Sequence, residues 1–133
     1  MADTMQFDLV APERKLASEE EAVEVMVPGA DGDLTVMPGH APMLTTLRPG
    51  KLTLVTRSET HSYAVTGGFA EITPEGVTIL AERSLPAEEF TREVHDKLIA
   101  EARRVHEEAH PSVADLTAKL LADMEAMGTH MTL

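Results

Sequence analysis

Hydrophobic and polar residues alternate with a period of two over about the first 80 residues of the chain. Phe7 and Leu9 alternate with polar neighbours, and Val23, Val25 and Val27 repeat the pattern. A period of two places every second side chain on the same face of a β-strand. Proline- and glycine-containing segments divide the region into short strands with no helix between them, which predicts an antiparallel β-sandwich or flattened barrel.

The segment of residues 32–50 holds three prolines and three glycines. Pro38 and Pro42 keep the residues before them extended, and Gly39 between them can take a positive φ. The segment therefore predicts a strand, a rigid corner and a second strand, with His40 displayed at the corner. His40 is compatible with a hydrogen bond to a neighbouring carbonyl, or with a metal or proton-transfer role.

Further turns are predicted at residues 12–15, 28–32, 57–60 and 73–76. The last has the proline and glycine spacing of a type I turn. Gly67 and Gly68 precede a strand and not a helix. They therefore favour a bulge or a close backbone approach over a phosphate-binding loop.

The period changes to that of a helix at Ser84, which is predicted to cap the first of two helices. The second is predicted to follow His110 and Pro111, with Ser112 as its cap and Gly128 at its end. The two apolar stripes comprise Phe90, Val94, Leu98, Ala102, Val105 and Ala109, then Val113, Leu116, Leu120, Met124 and Met127. So short a connection predicts an antiparallel helical hairpin.

The predicted fold class is α+β. Residues 1–83 are predicted to form an N-terminal antiparallel β-sandwich domain, and residues 84–133 a C-terminal helical hairpin domain. The hairpin cannot bury both of its stripes by itself, so the remainder must rest on the sandwich or on another protein. The pattern leaves open whether the hairpin is permanently docked or detachable.

Composition directs the functional prediction towards protein partners. The formal net charge of −12 repels nucleic acid and anionic lipid, and one Tyr, three Phe and no Trp leave few stacking platforms. The absence of cysteine excludes disulfides and thiolate chemistry. We expect no signal peptide, because residues 1–6 have no positive run and no apolar segment behind them. We expect no direct membrane insertion and synthesis in the cytosol, because no apolar run approaches the roughly 20 residues of a membrane helix.

The corner and the paired glycines carry a resemblance to a known family. The motifs are Pro38-Gly39-His40-Ala41-Pro42, Gly67-Gly68-Phe69-Ala70-Glu71-Ile72 and the flanking residues 32–34, 43–45, 48–50 and 77–81. Together with the helical hairpin, they resemble the epsilon subunit of bacterial F-type ATP synthases, the counterpart of the mitochondrial delta subunit. The resemblance extends over nearly the whole chain.

The resemblance implies a non-catalytic rotor subunit of the central stalk, which couples proton flow to ATP synthesis. Its implied partners are the gamma subunit, the c-ring, and the α and β subunits through the hairpin. The implied location is peripheral, within F1, on the cytoplasmic face of the bacterial inner membrane. No catalytic residue, cofactor or metal site is expected.

The resemblance also assigns interface residues. Asp33 matches an acidic residue that faces the c-ring loops, and His40, Pro42 and Met43 match positions on the gamma-facing side. Asp33 could pair with a basic loop residue of the c-ring, or it could be a turn residue that bonds its own backbone.

Two departures from the family bear on regulation. Residues 90–95 align with the ATP-binding motif of several bacterial relatives but lack its aspartate and matching arginine, so we expect no useful ATP binding. In strongly inhibited relatives a basic second helix meets an acidic segment of β. Here that helix carries Asp115, Asp123 and Glu125 against Lys119, so inhibition of ATP hydrolysis is expected to be weak.

Two other function classes remain as alternatives. A metal-dependent, cupin-like barrel could use His40, His61 and Glu71 as ligands, although His61 is predicted in a hairpin turn and the spacing fits no known motif. A free-standing adaptor could use the hairpin as a docking arm.

Overall fold

A computed structural model describes residues 3–131. Within that range nine strands precede two α-helices. The strands are β1 (Met5–Ala11), β2 (Arg14–Gly29), β3 (Gly32–Val36), β4 (Met43–Leu47), β5 (Gly50–Thr56), β6 (Thr60–Val65), β7 (Gly68–Thr73), β8 (Gly76–Ala81) and β9 (Ser84–Pro86). The helices are α1 (Arg92–Glu107) and α2 (Ala114–His130), with 3-10 turns at Ala87–Glu89 and Pro111–Val113.

The sandwich core consists of the inward-facing side chains that the period of two predicts. Phe7 and Leu9 of β1, Leu52 of β5 and Ile79 of β8 are each fully buried. Burial of one such side chain contributes about 1.5–3 kcal/mol to the free energy of folding. The core is almost entirely aliphatic, as the composition requires.

Strand β2 connects the two layers of the sandwich. Its first half pairs with β1 from Ala22 back to Arg14, and its second half pairs with β5 and β3. The register shifts between Ala22 and Glu24, and such irregularities allow a long strand to bend from one sheet to the other.

One strand pair differs from the predicted antiparallel arrangement. Strands β1 and β8 run parallel, with Phe7 opposite Val77 and Leu9 opposite Ile79. Parallel and antiparallel strands share the same side-chain period, so the sequence pattern carried no information on direction. This pairing places β1 between β8 and β2.

The turns are narrower than predicted. Arg14 already belongs to β2, Gly29 and Gly32 belong to β2 and β3, and Thr60 begins β6. His61 consequently lies in a strand, opposite Leu54, and its predicted position in a turn is wrong. The ladder continues beyond the expected turn residues because backbone pairing, not residue type, sets where a strand ends.

The close backbone approach predicted at Gly67 and Gly68 is confirmed. Their φ angles are 148° and 126°. A Cβ atom on Gly68 would lie 2.0 Å from the carbonyl oxygen of Leu80 on the neighbouring strand. Only glycine fits this position without moving β7 away from β8.

The predicted cap of the first helix is wrong. Ser84 lies in β9, where it pairs with Val65 of β6. The cap of α1 is Thr91, whose hydroxyl accepts a hydrogen bond from the backbone N–H of Val94 at 3.3 Å. Sheet pairing therefore extends past the predicted domain boundary at residue 83. The division into two domains remains a prediction.

The predicted ends of the second helix also differ. Ser112 lies in the 3-10 turn Pro111–Val113, where the His110 side chain accepts its backbone N–H at 3.1 Å. The N-cap of α2 is Val113, whose side chain makes no capping hydrogen bond, and α2 continues through Gly128 to His130. The predicted end at Gly128 is therefore wrong, because Thr129 and His130 still belong to α2. The last two residues lie outside the described part of the chain.

The hairpin is docked on the sandwich in this structure. The face shared by the helices and the sheet buries Ala64, Phe90, Leu98, Ala102, Met124, Met127 and Met131. Arg83, just before β9, forms an ion pair with Glu101 of α1 at 2.8 Å. The helical core is thus separate from the sandwich core and smaller than it.

Candidate functional site

The corner between β3 and β4 is fixed by backbone hydrogen bonds. The N–H of Gly39, at φ 86°, donates to the carbonyl of Pro74 at 2.9 Å, and the N–H of His40 donates to Met37 at 3.2 Å. Pro74 lies in the turn between β7 and β8. The corner is therefore tied to a second turn, which supports the prediction that it is rigid.

His40 makes the local hydrogen bond that was one of its two interpretations. Its Nδ1 lies 2.7 Å from the carbonyl oxygen of Ala41, and the side chain is partly exposed. Pro42 and Met43 beside it are also exposed. These three residues share one end of the sandwich and are available to another protein.

Asp33 lies at the other end of β3, opposite Pro28. It is in a strand and not in a turn, so its interpretation as a turn residue is wrong. Its carboxylate forms an ion pair with the guanidinium of Arg48, which also donates to the carbonyl of Gly29. The Asp33 side chain is 75% exposed, so its carboxylate can still accept a second cation.

The sandwich carries an exposed apolar surface that the sequence pattern did not predict. Phe69 and Leu80 lie directly opposite each other on β7 and β8, and Leu44 lies diagonally from Phe69 on β4. Their exposed fractions are 49%, 51% and 69%. We call these three residues the outer apolar face. The hydrophobic pattern could not reveal it, because both apolar and polar residues occur on the outside of a sandwich.

A polar cluster borders the outer apolar face on β1. Asp8 lies opposite Thr78 and is held by Lys15 at 3.1 Å and Gln6 at 3.3 Å. Burial raises the pKa of Asp8, but hydrogen bonds from Ser18, Lys15 and Gln6 outweigh that effect and hold the pKa below its usual value. An apolar centre with a charged rim is the usual anatomy of a protein interface.

The positions that align with the ATP-binding motif have structural roles here. Phe90 and His95 are buried, with ring centroids 5.5 Å apart. The Nε2 of His95 lies 2.8 Å from the carbonyl oxygen of Met124, so the imidazole joins α1 to α2. The expectation that ATP does not bind stays a prediction.

The metal-dependent alternative is not supported. Among residues 3–131, no group of three or more histidine or carboxylate side chains is placed to hold a metal ion. His40 contacts the Ala41 carbonyl, and His61 contacts Glu59 at 2.8 Å. No helix in the same part of the chain is long and apolar enough to cross a membrane.

Comparison with solved structures supports this fold. A chain in the cryo-EM structure of the Euglena gracilis mitochondrial ATP synthase (OSCP, F1 and c-ring) matches 97% of this chain and 82% of its own length, with a TM-score of 0.75 and 20% identity. A chain in the central stalk and c-ring structure of the Tetrahymena thermophila mitochondrial ATP synthase matches with a TM-score of 0.56 and 17% identity, covering 89% of this chain and 96% of that chain.

Sequence comparison identifies the family. The model of the β-sandwich domain of ATP synthase delta/epsilon chains matches residues 4–87. The ATP synthase epsilon chain of Rhodobacter capsulatus is 62% identical over the full length of both chains. That of Paracoccus denitrificans (strain Pd 1222) is 56% identical over all of this chain and 94% of the relative. The protein is therefore a member of the ATP synthase delta/epsilon chain family.

Proposed function

We propose that this chain is a non-catalytic subunit of the central stalk of an F-type ATP synthase, where it couples proton flow to ATP synthesis. The observation that carries the proposal is the outer apolar face, which lies on the sandwich that matches the family. Its location would be peripheral, within F1, on the cytoplasmic face of the bacterial inner membrane.

The gamma subunit is the proposed partner of the outer apolar face and of the neighbouring corner. Phe69 and Leu80 expose about half of their surface to water, which favours burial against another protein. His40, Pro42 and Met43 would form the edge of this contact. Their corner is tied to the Pro74 turn, so it can transmit torque with little local deformation.

The polar loops of the c-ring are the proposed partner of Asp33, at the opposite end of β3. The ion pair with Arg48 holds the carboxylate in place before binding. A basic loop residue would then meet an ordered acceptor, which reduces the entropy lost on association.

The hairpin is proposed to contact α and β with a weak inhibitory effect on ATP hydrolysis. The outer surface of α2 carries Asp115 and Glu125, and its Lys119 is already paired with Asp123 at 2.8 Å. These charges disfavour an acidic partner surface. A chain that ends after Ala87 retains β9, and we expect it to leave ATP hydrolysis nearly unchanged in the assembled enzyme. A large rise in hydrolysis would show strong inhibition by the hairpin.

Native mass spectrometry of the complex that copurifies with a tagged copy from solubilised membranes tests the proposal. We expect one copy together with three α, three β and one gamma subunit. The Phe69→Lys variant is expected to lose gamma, because it places a charge at the centre of the apolar contact. The control is Leu116→Lys on the hairpin, which places the same charge on an exposed apolar residue (69% exposed, against 49% for Phe69) outside the outer apolar face.

Copurification without gamma, α or β would exclude the stalk function and favour the adaptor. Equal recovery of gamma with Phe69→Lys and with the control would show that the outer apolar face is not the gamma contact. Circular dichroism of both variants verifies that each is folded.

A further inference from the structure

The sandwich covers the apolar stripes of the two helices near the base of the hairpin but not near its tip. Near the base, Leu98 and Met124 are buried against the sheet. Towards the tip the same stripe continues through Val105, Leu120 and Leu116, which are 47%, 38% and 69% exposed. We call these three residues the tip face. Its three residues lie on α1 and α2 and are not part of the outer apolar face.

The tip face is held in a fixed shape. The Nδ1 of His106 on α1 lies 2.8 Å from the hydroxyl of Thr117 on α2. The same hydroxyl lies 3.1 Å from the carbonyl oxygen of Ala114. This network joins the two helices near their connection, so the apolar side chains of both helices need little reorganisation to receive a partner.

The tip face and the sandwich form a concave corner. Val105 and Leu120 line a cavity of about 220 Å³ whose other wall includes Thr66 and Arg83. Leu116 and Leu120 are four residues apart on α2, so they lie on one face of the helix. Leu116 lies outside the cavity and extends its apolar wall along α2, and an apolar surface with this spacing fits the apolar face of an amphipathic helix.

The charges around the tip face favour a basic partner. On α1, Glu101 and Glu108 are four and three residues from Val105, which is the spacing of helix neighbours. Glu101 is paired with Arg83, and Glu108 has no basic side chain within ion-pairing distance among the described residues. Glu82 also lines the cavity. The basic neighbours of the tip face are already paired, Arg83 with Glu101 and Lys119 with Asp123 at 2.8 Å, so acidic side chains are in excess around it. Arg103 and Arg104, two and one residues from Val105, do not have the spacing of helix neighbours. The net charge of −12 attracts basic segments from a distance.

We propose that the tip face is a docking site for a basic amphipathic helix of another protein, and that it is available while the hairpin is docked on the sandwich. This site is separate from the proposed gamma contact and does not depend on it. The acidic side chains of the hairpin, which disfavour contact with an acidic surface, favour binding of this basic helix.

The test uses the full chain, 15N-labelled, and a synthetic peptide of about 18 residues, long enough to form a helix on binding. The peptide carries leucines with helical spacing and lysines elsewhere. A scrambled peptide of the same composition and a peptide with glutamate in place of lysine are its controls. We expect saturable NMR shifts around Val105, Leu116 and Leu120 with the basic amphipathic peptide alone.

The double variant Leu116→Lys, Leu120→Lys is expected to weaken binding at least tenfold. Leu116 is 69% and Leu120 is 38% exposed, so we expect the fold to be retained, and circular dichroism checks it. The double variant Leu44→Lys, Phe69→Lys is the matched control and is expected to bind as the parent does.

Several outcomes would overturn the proposal. They are equal binding by the tip variant and the parent, equal binding of the scrambled or acidic peptide, and shifts confined to the outer apolar face. Concentration-dependent shifts at the tip without peptide, with a dimer in analytical ultracentrifugation, would assign the tip face to a second copy of this chain instead.

Discussion

Replacing Gly128 with alanine tests the contact between the two helices. In the interior of an isolated helix this change stabilises by about 1 kcal/mol, because alanine has the higher helix propensity. In this structure an alanine Cβ would lie 2.9 Å from Cε1 of His95. That distance is shorter than any normal contact, so the imidazole must move.

The imidazole has little freedom to move. His95 is 7% exposed, its Nε2 lies 2.8 Å from the Met124 carbonyl, and its ring rests on Phe90. Losing that buried hydrogen bond costs about 1–3 kcal/mol, and displacing a packed side chain costs about 1–3 kcal/mol. These costs exceed the gain in propensity. We expect Gly128→Ala to destabilise the hairpin by about 2 kcal/mol.

The sign of the effect should reverse when His95 is absent. In the His95→Ala background nothing opposes the new methyl group, and Gly128→Ala is expected to stabilise by about 1 kcal/mol. The coupling between the two positions is then about 3 kcal/mol, which is at the upper end for residues in contact. Urea unfolding followed by circular dichroism at the helical band measures all four proteins, and a change of about 2 kcal/mol shifts the midpoint by about 1 M.

A stabilising effect of Gly128→Ala with His95 present would refute this reasoning. It would mean that the imidazole leaves the Met124 carbonyl at little cost. Equal effects in both backgrounds would likewise show that the contact between Gly128 and His95 does not determine the packing of the helices.

Two further substitutions and one double-mutant cycle have expected outcomes. Gly68→Ala is expected to destabilise by about 3 kcal/mol, because its Cβ meets the Leu80 carbonyl at 2.0 Å and its φ is 126°, and thermal unfolding measures the loss. Because the pKa of Asp8 is lowered in the folded state, its contribution to stability is present above the pKa of the unfolded chain and is lost as the pH falls. Asp8→Asn should therefore be less stable than the parent at neutral pH, by about 1 kcal/mol or less, with no difference in acid unfolding below both pKa values. The aspartate of the Asp33–Arg48 ion pair is largely exposed to water. We therefore expect a double-mutant cycle on the free energy of unfolding to give a coupling energy of less than about 1 kcal/mol between the two side chains.

The strands were predictable because their apolar positions match one buried face. Phe7, Leu9, Val25 and Val27 are all buried as their alternation predicts. Val23 is only partly buried, because the register shift between Ala22 and Glu24 places Ala22 in the core instead. The corner at His40 was predictable because proline and glycine restrict the backbone locally. The helix caps were not predictable in this way, because Ser84 satisfies the capping pattern and yet pairs with β6. A strand partner distant in sequence outweighs a local preference.

The candidate site was only partly predictable. The resemblance selected Asp33, His40, Pro42 and Met43, and the structure leaves each of them wholly or partly accessible, with Asp33 at one end of β3 and the other three at the corner. The outer apolar face was missed because Leu44, Phe69 and Leu80 lie on three strands. Their proximity is a property of the sheet register and not of any sequence segment.

The sequence by itself determined that a β-sandwich is followed by a helical hairpin. It also determined the aliphatic core, the rigid corner and the acidic surface. Each of these features depends on residue type or on spacing within one segment. Tertiary structure decided the parallel pairing of β1 with β8, the interhelical role of His95 and Gly128, and which half of the hairpin stripe is covered. These features depend on contacts between residues far apart in the chain. These contacts stabilise the protein only once the packed elements have removed the contacting surfaces from water.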